Sequence, residues 1–298
     1  MTHAAKRRVL FFFENDWAFG QIHNSLIRRL YSKGIYAAII DWGKSRTVQE
    51  FEYIQNKFDV IATVPSVINS LFSYNIPLSK IAAIAHSELD IVLGAQRCGV
   101  DMYEELYGYA VIHKNLIEVS RNQGISREPV VTPNGIDFDY FYAPVSNSLD
   151  CLGYAGAKSF IMSDASDCKR SHLLEPICIR SGLPLMWPER MHYLSMAGYY
   201  ASIDGLIVTS KYEGCGLPAM EAAAAGRLVV AAKTGNFDGS SGLLCRTPDE
   251  EFVEDAVNHL QNCSDPSVYR ANCERAQQYA RDHYDWEHVI DKYVELVS

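Results

Sequence analysis

The stretch Leu206–Gly226, LIVTSKYEGCGLPAMEAAAAG, contains the local signals that decide the fold. An apolar run ends near Ser210, a glycine-rich loop follows, and Pro218 suits the first turn of a helix, where its missing N–H is not needed. The free backbone N–H groups of such a helix start, with the bare backbone of Gly214 and Gly216, can hold phosphate or sugar oxygens. The stretch therefore predicts a strand, a ligand-binding loop and a helix in succession.

Two carboxylates lie in this stretch, with Glu213 before the loop and Glu221 inside the helix. They can flank one ligand from different sides, and an ionised carboxylate accepts hydrogen bonds from two adjacent hydroxyls, which suits a polyhydroxylated ligand. A second interpretation needs no ligand, because the helix dipole favours an acid in the first turn and Glu213 is then a solvated loop residue. Taken alone, the pattern favours the second interpretation.

The alternation of strand and helix extends over most of the chain. Short apolar runs, typical of buried parallel strands, are separated by segments with helical apolar spacing. These runs are Val9–Phe13, Tyr36–Ile40, Val60–Val64, Ile81–Ala85, Ala110–His113, Cys151–Ala155, Leu183–Trp187, Gly205–Val208 and Arg227–Ala232. The alternation predicts an α/β fold with doubly wound parallel sheets, whose ligands bind at the carboxyl ends of the strands.

The alternation breaks at residues 132–150, TPNGIDFDYFYAPVSNSLD, where proline, Asn-Gly and several aspartates interrupt it. We therefore expect two Rossmann-like domains, residues 1–145 and 146–298. From Asp249 onward the pattern is mostly helical, and its aromatic and aliphatic residues indicate packing stripes. The last helix is a candidate to pack back on the N-terminal domain.

The composition restricts the function and the location of the protein. With 27 basic and 36 acidic residues, the net charge of −9 disfavours nonspecific binding to nucleic acid or to an anionic membrane. The eight cysteines lack the spacing of a zinc site, and the apolar run Val9–Phe13 is too short for a signal peptide or a membrane span. We expect a cytoplasmic protein with reduced thiols. Arg28-Arg29 with Lys33 fits an exposed helix face better than a membrane patch, so that membrane contact is at most peripheral.

Several segments resemble one known family, in the order that the family has them. YEGCGLPAME, residues 212–221, resembles the E-x7-E signature of retaining glycosyltransferases of family 4, whose GT-B fold has two facing Rossmann-like domains. IAAIAHSELD resembles a strand that ends in a histidine at the interdomain cleft, and PVVTPNGIDFDYF, with Asn134, Gly135 and Asp137, resembles the element that closes the N-terminal domain. LGYAGAKSF with CKRSHLLEPI resembles the donor-diphosphate segment. The likeness covers nearly the whole chain.

The resemblance implies roles for individual residues. Glu221 would bind the ribose hydroxyls of a nucleotide sugar, and Glu213 would contact hydroxyls of the transferred sugar. His86 would contact the donor sugar at the cleft, although a lone histidine after an apolar strand is ordinarily a core residue. The backbone amides that would hold sugar and phosphate oxygens are those of Gly214, Cys215, Gly216 and Leu217. Cys215 is expected to be a small loop residue and not a nucleophile, because no histidine or basic residue adjoins it in sequence.

The chain departs from the family at the diphosphate segment, where Ala157 follows Gly156 in place of the family arginine. A leaving diphosphate develops negative charge in the transition state and needs a cation beside it. We expect Lys169 to supply that cation, with Lys158 second and Arg170 as a further alternative. The other interpretation of Lys169-Arg170 is a solvated basic pair at a helix start. No acidic cluster with metal-ligand spacing is evident, so we expect metal-independent chemistry without a cofactor.

The acceptor side of the predicted site has fewer signals. Gly20 follows the first strand and precedes a helix, which fits a loop that approaches the ligand at the cleft. Trp17 and Phe19 lie in the same stretch and are candidates for acceptor contacts.

These expectations describe a retaining, hexosyltransferase-type glycosyltransferase. It would move a sugar from a nucleotide-diphosphate-sugar, which is a substrate and not a cofactor, to a hydroxyl of a polysaccharide or lipid-linked glycan. In the front-face mechanism that the resemblance implies, the leaving diphosphate can itself take the acceptor proton. Three alternatives stay open: glycosylation of modified DNA bases, which the acidic charge disfavours, noncatalytic binding of a nucleotide sugar, and nucleotide-sugar 2-epimerisation.

Overall fold

The protein is described by a computed structural model over residues 7–14, 17–44, 47–158, 167–188 and 191–298, without the side chains of residues 17–19. The chain divides into two compact units, one made of Met1–Gly135 with Trp286–Ser298 and the other of Ile136–Asp285. The sequence placed the division between residues 145 and 146. In the structure, residues 136–145 pack with the second unit and the C-terminal helix packs with the first.

The first unit contains a six-stranded sheet with strand order β2-β1-β3-β4-β5-β6, and every strand pair in it is parallel. The strands are β1 (Arg8–Phe13), β2 (Tyr36–Asp41), β3 (Val60–Thr63), β4 (Ile81–Ala85), β5 (Gly108–Val111) and β6 (Val130–Val131). Its helices are α1 (Trp17–Ser32), α2 (Val48–Gln55), α3 (Ile68–Phe72), α4 (Glu88–Cys98), α5 (Met102–Glu105), α6 (Asn115–Asn122) and, at the C-terminus, α13 (Trp286–Val297). Strands β3, β4 and β5 are buried along their whole length, as expected for a parallel sheet covered on both faces.

The second unit contains a five-stranded parallel sheet with strand order β11-β10-β9-β7-β8. The strands are β7 (Leu152–Gly153), β8 (Leu185–Met186), β9 (Gly205–Val208), β10 (Leu228–Ala232) and β11 (Leu243–Cys245). The helices are α7 (Phe138–Phe141), α8 (Leu174–Ser181), α9 (Tyr193–Ala201), α10 (Leu217–Ala224), α11 (Asp249–Asn262) and α12 (Pro266–Tyr284). The α/β class and the two parallel sheets agree with the fold that the sequence predicts.

Helix α13 is held to the first unit by specific contacts. Trp286 is buried against Gly135, where an added Cβ would lie 2.4 Å from the indole ring, so the Asn-Gly turn needs its glycine for this packing. The hydroxyl of Tyr293 donates to Thr132 O and to Asn134 Oδ1, both at 3.2 Å. The Asn134-Gly135 element is therefore fixed by the C-terminal helix of its own unit.

The basic cluster at the end of α1, with Lys33 directly after the helix, also contacts α13. The ammonium of Lys33 lies 2.7 Å from Asp291, and the guanidinium of Arg29 lies 5.8 Å from the centre of the Trp286 ring. Lys33 and Arg29 therefore interact with other residues of the first unit, as the basic residues of an ordinary helix face do. Within the described ranges, no helix is both long and apolar enough to cross a membrane.

Candidate active site

The glycine-rich loop joins β9 to α10 as the sequence predicts. Gly216 precedes the helix in a left-handed conformation with φ of 75°, which a glycine adopts without strain, and Pro218 occupies the first turn. The loop packs against the turn at Gly235, where an added Cβ would lie 3.0 Å from the carbonyl carbon of Cys215. The backbone N–H of Asn236 donates to Cys215 O at 3.3 Å. Contacts from the turn that follows β10 therefore fix the conformation of the glycine-rich loop.

Cys215 has a structural environment in this loop. Its side chain is buried, its sulfur lies 3.4 Å from Met220 Sδ, and it accepts a hydrogen bond from Asn236 Nδ2 at 3.4 Å. These partners are a thioether and an amide, neither of which takes a proton from a thiol. The environment agrees with a packed loop residue better than with a nucleophile.

Glu221 is buried inside α10, with only 6% of its surface exposed. The hydroxyl of Tyr200 donates to its Oε2 at 2.8 Å. Burial raises the pKa of the Glu221 carboxyl to about 8, and the hydrogen bond from Tyr200 offsets this only in part. The side chain is consequently neutral at pH 7. Glu221 is therefore not a solvent-exposed acid that only complements the helix dipole.

Glu213 and Lys169 form an ion pair. The Lys169 Nζ lies 2.6 Å from Glu213 Oε1, and the two side chains are 22% and 17% exposed. Lys169 is held by its backbone, since its N–H donates to Asp167 Oδ1 at 3.0 Å and its carbonyl accepts from Thr209 Oγ1 at 2.6 Å. The structure thus brings together the acid and the cation that the sequence assigned separately to the sugar and the diphosphate.

Arg170 does not share the environment of Lys169. It is only 3% exposed, and its Nε donates to Thr209 O at 2.7 Å while its Nη1 donates to Thr247 O and, at 2.9 Å, to Asp249 Oδ1. The guanidinium also lies 5.2 Å from the centre of the Phe252 ring. Because these contacts take up the side chain within the protein, Arg170 is not the exposed cation of a solvated basic pair.

Lys158 lies in the second unit at a different place from the ion pair of Lys169 and Glu213. Its side chain lines a pocket of about 560 Å³ together with His172 and Trp187. The backbone of this segment is anchored, because Trp187 Nε1 donates to Gly156 O at 3.2 Å and Ser171 Oγ donates to Lys158 O at 2.5 Å. An added Cβ at Gly156 would lie 2.4 Å from the Tyr154 hydroxyl, so this glycine is required for close packing.

His86 follows β4 in the first unit, at the carboxyl edge of the sheet. It is 4% exposed, and burial lowers the pKa of its imidazole to about 4, which keeps the ring neutral at pH 7. Its ring packs edge-on against Phe13 and His23, with centroids 5.7 Å and 5.8 Å away. The backbone N–H of His86 donates to Asp90 Oδ2 at 3.0 Å.

Two histidines at this edge were not predicted as site residues. His23, on α1, packs against Phe13 in a tilted geometry, with ring centroids 4.1 Å apart and an angle of 41° between the ring planes. His113 follows β5, and burial lowers its pKa to about 4. The sequence signal for His113 was available, since it ends a predicted strand as His86 does. His23 lies in mid-helix and gave no such signal.

The acceptor-side expectation for Gly20 is corrected by the start of α1. The helix begins at Trp17, so Gly20 is a buried helical residue and not part of a loop. The backbone of Trp17 and Phe19 belongs to the first turn of α1, and their side chains lie outside the described part.

Among the described residues, no group of three or more His, Cys, Asp or Glu side chains could hold a metal ion.

Known proteins are similar to this chain in sequence, around the glycine-rich loop, and in fold. Residues 186–262 match the family model described as Glycosyl transferases group 1, and this segment includes Glu213, the glycine-rich loop and Glu221. A curated D-inositol 3-phosphate glycosyltransferase from Corynebacterium urealyticum is 34% identical over 106 residues, which cover 34% of this chain. The chain spans about a quarter of the length of that relative, 24%.

Solved structures are similar over the whole chain. Sucrose-phosphate synthase from Thermosynechococcus elongatus has a TM-score of 0.71 at 14% identity, covering 98% of each chain. HepE from Anabaena, solved in complex with UDP and glucose, has a TM-score of 0.64 at 16% identity, covering 97% of this chain and 98% of its own. At such identities the likeness establishes the fold, which is GT-B.

Proposed function

We propose that this protein is a metal-independent retaining glycosyltransferase that moves a hexose from a nucleotide-diphosphate-sugar to a hydroxyl acceptor. The observation that carries the proposal is the ion pair between Lys169 and Glu213, on the loop that leads to the buried Glu221. One cation and two carboxyl groups, one in an ion pair with Lys169 and one buried beside Tyr200, are the groups needed to hold a diphosphate, a sugar and a ribose.

The ion pair supplies the diphosphate and sugar contacts in this proposal. A bound diphosphate competes with Glu213 for the Lys169 ammonium, and the freed carboxylate then accepts hydrogen bonds from sugar hydroxyls. As the glycosidic bond of the donor breaks, negative charge grows on the diphosphate, and the ammonium stabilises it. The UDP that HepE binds supports a nucleoside diphosphate as the leaving group.

Glu221 is proposed to bind the ribose. Tyr200 occupies its Oε2, which leaves Oε1 for a ribose hydroxyl. Hydroxyl donors favour the ionised carboxylate, so donor binding lowers the pKa of Glu221 and releases a proton near neutral pH.

Retention is proposed from the E-x7-E spacing and from the nature of the available groups. Cys215 is packed among Met220 and Asn236, which supports a mechanism without a covalent enzyme intermediate. The leaving diphosphate takes the acceptor proton on the same face of the sugar. His86 is neutral and can exchange a hydrogen bond with the sugar without adding charge.

The acceptor is proposed to be a polysaccharide or lipid-linked glycan. The curated relative is named for transfer to an inositol phosphate, which is also a polyhydroxylated acceptor. All eight cysteines are free thiols in the structure, which supports a reducing, cytoplasmic location.

The test begins with binding. Thermal-shift screening of uridine, guanosine and adenosine diphosphates and their sugars identifies the donor, because a ligand that binds the folded state raises Tm. Donor and a panel of glycan acceptors are then incubated, and the anomeric configuration of the product is read by NMR. Lys169→Ala and Glu213→Gln are expected to abolish most transfer, whereas Lys211→Ala, on the same loop with its ammonium over the Tyr212 ring, is the matched control.

Each alternative function has its own outcome in this assay. A donor that changes its sugar configuration without an acceptor indicates 2-epimerisation. Binding with neither hydrolysis nor transfer indicates a noncatalytic protein. Transfer to DNA that contains hydroxymethylated bases, and not to glycans, indicates a DNA-modifying enzyme. An inverted product overturns retention.

A further inference from the structure

Arg170 has a backbone conformation that is unusual for its residue type. Its φ and ψ are 48° and 40°, in the left-handed region. Among the described residues, Asn75 is the other non-glycine with positive φ, and asparagine tolerates that region better than a long side chain does. A strained residue of this kind persists only where surrounding contacts determine it.

The contacts of the Arg170 side chain join three segments of the second unit. Its guanidinium donates to the carbonyl of Thr209 after β9, to the carbonyl of Thr247 after β11, and to the Asp249 carboxylate at the start of α11. Burial opposes ionisation of Asp249, but hydrogen bonds from His172 and Arg170 outweigh it, so the pKa of this carboxyl is lowered and the partner of Arg170 stays charged. The strained backbone is therefore held by a buried, charge-assisted anchor.

The contacts of the Arg170 side chain also fix Lys169, the residue before it in the chain. Thr209 is hydrogen-bonded to both residues. Its carbonyl accepts from Arg170, and its hydroxyl donates to the carbonyl of Lys169 at 2.6 Å. Thr209 also begins the loop that carries Glu213. The backbone of Lys169 and the root of the Glu213 loop are thus tied together, and the Lys169 ammonium lies 2.6 Å from the Glu213 carboxylate.

We propose that Arg170 is a positioning residue that places the Lys169 ammonium for the diphosphate of the donor. The proposal rests on the function proposed above and adds to it the means by which a lysine serves at a site where Ala157 replaces the expected arginine. Arg170 acts through Lys169 and not by its own charge, because its side chain is 3% exposed. Its Nε and Nη1 donate to Thr209, Thr247 and Asp249, and its Nη2 is buried without a hydrogen-bond partner among the described residues.

A double-mutant cycle separates this role from a merely structural one. Arg170→Gly is the first variant, because glycine keeps the left-handed backbone without strain but lacks the anchor. Affinity for uridine diphosphate is measured by calorimetry, with adenosine and guanosine diphosphates as parallel probes. We expect Arg170→Gly to weaken binding about tenfold, Lys169→Ala to weaken it at least as much, and the double variant to bind no more weakly than Lys169→Ala alone.

A second variant covers the case in which Arg170→Gly does not fold. Asp249 is half-exposed, and Asp249→Asn removes only the charge of the outermost partner of Arg170. We expect it to weaken binding about two- to threefold, and to have no further effect in the Lys169→Ala background. Arg246→Ala, which removes a surface arginine paired with Asp255, is the control and should leave the affinity unchanged.

The outcomes distinguish the two proposals. Effects of Arg170→Gly or Asp249→Asn that persist in full in the Lys169→Ala background overturn the positioning role while leaving the transferase proposal intact. A wild-type protein that binds none of the three nucleoside diphosphates overturns both.

Discussion

The raised pKa of Glu221 makes the stability of the protein depend on pH in a specific direction. Burial raises this pKa from 4.5 to about 8 in the folded chain. Below pH 4.5 the carboxyl is protonated in both the folded and the unfolded chain. Between these values the folded chain keeps the proton and the unfolded chain releases it, so the free energy of unfolding falls as pH rises.

The size of the effect follows from the two pKa values. The slope is about 1.4 kcal/mol per pH unit between them, and it vanishes above the folded pKa, where both states are ionised. Between pH 6 and pH 9 the contribution of Glu221 to the free energy of unfolding therefore falls by about 3 kcal/mol. This is a large part of the stability of an ordinary domain.

Urea unfolding across this pH range tests the prediction. Glu221→Gln keeps the shape and an oxygen that accepts from Tyr200 but cannot ionise, so its stability should lack this fall. The quantity to compare is the difference between wild type and variant at each pH, because other groups titrate equally in both. Glu250→Gln, an exposed acid on α11, is the matched control and should follow wild type. A difference that stays constant from pH 6 to pH 9 would refute the burial argument for Glu221.

Three further predictions concern the ion pair, the anchor and the C-terminal helix. Lys169→Ala and Glu213→Gln should each lower kcat about 100-fold, measured as nucleoside diphosphate release with acceptor, and unchanged turnover in both would remove the pair from the site. The free energy of unfolding in urea should be about 1 kcal/mol higher for Arg170→Gly than for Arg170→Ala, because φ at this position is 48°. The opposite order would contradict the strained backbone. Trp286→Ala should lower the free energy of unfolding by about 3 to 5 kcal/mol, since the indole is 1% exposed; a loss below about 1 kcal/mol would show that α13 does not contribute to the core.

The strands were predictable from sequence where their apolar runs are long. Ile81–Ala85 and Gly205–Val208 have the bounds that the sequence indicated. Strands β6 and β11, of two and three residues, were not predicted, whereas the two-residue strands β7 and β8 lie inside longer apolar runs that were. The pattern also misplaced β5 by two residues, because the sequence indicated Ala110–His113 and the strand spans Gly108–Val111.

The site was predictable only as far as local chain geometry determines it. The loop, Gly216 and the helix start follow from residue types within one short segment. The pairing of Lys169 with Glu213 joins positions 44 residues apart, and no spacing rule connects them. The role of Arg170 depends on three tertiary partners, so its sequence neighbourhood suggested only an alternative cation for the diphosphate or half of a solvated basic pair.

Glu221 shows how a correct local prediction can still miss the chemistry. The small residues after it predicted a helix, and an acid near the start of a helix is ordinarily explained by the dipole in water. Those same small residues let neighbouring elements approach α10 closely, so that Ala222, Ala223 and Ala224 are buried along with the acid itself. The close approach brings the Tyr200 hydroxyl to 2.8 Å and removes water, and the dipole at a solvated helix start then no longer governs the carboxyl. The alanines that made the helix easy to predict are thus the cause of the raised pKa, which the helix pattern itself could not reveal.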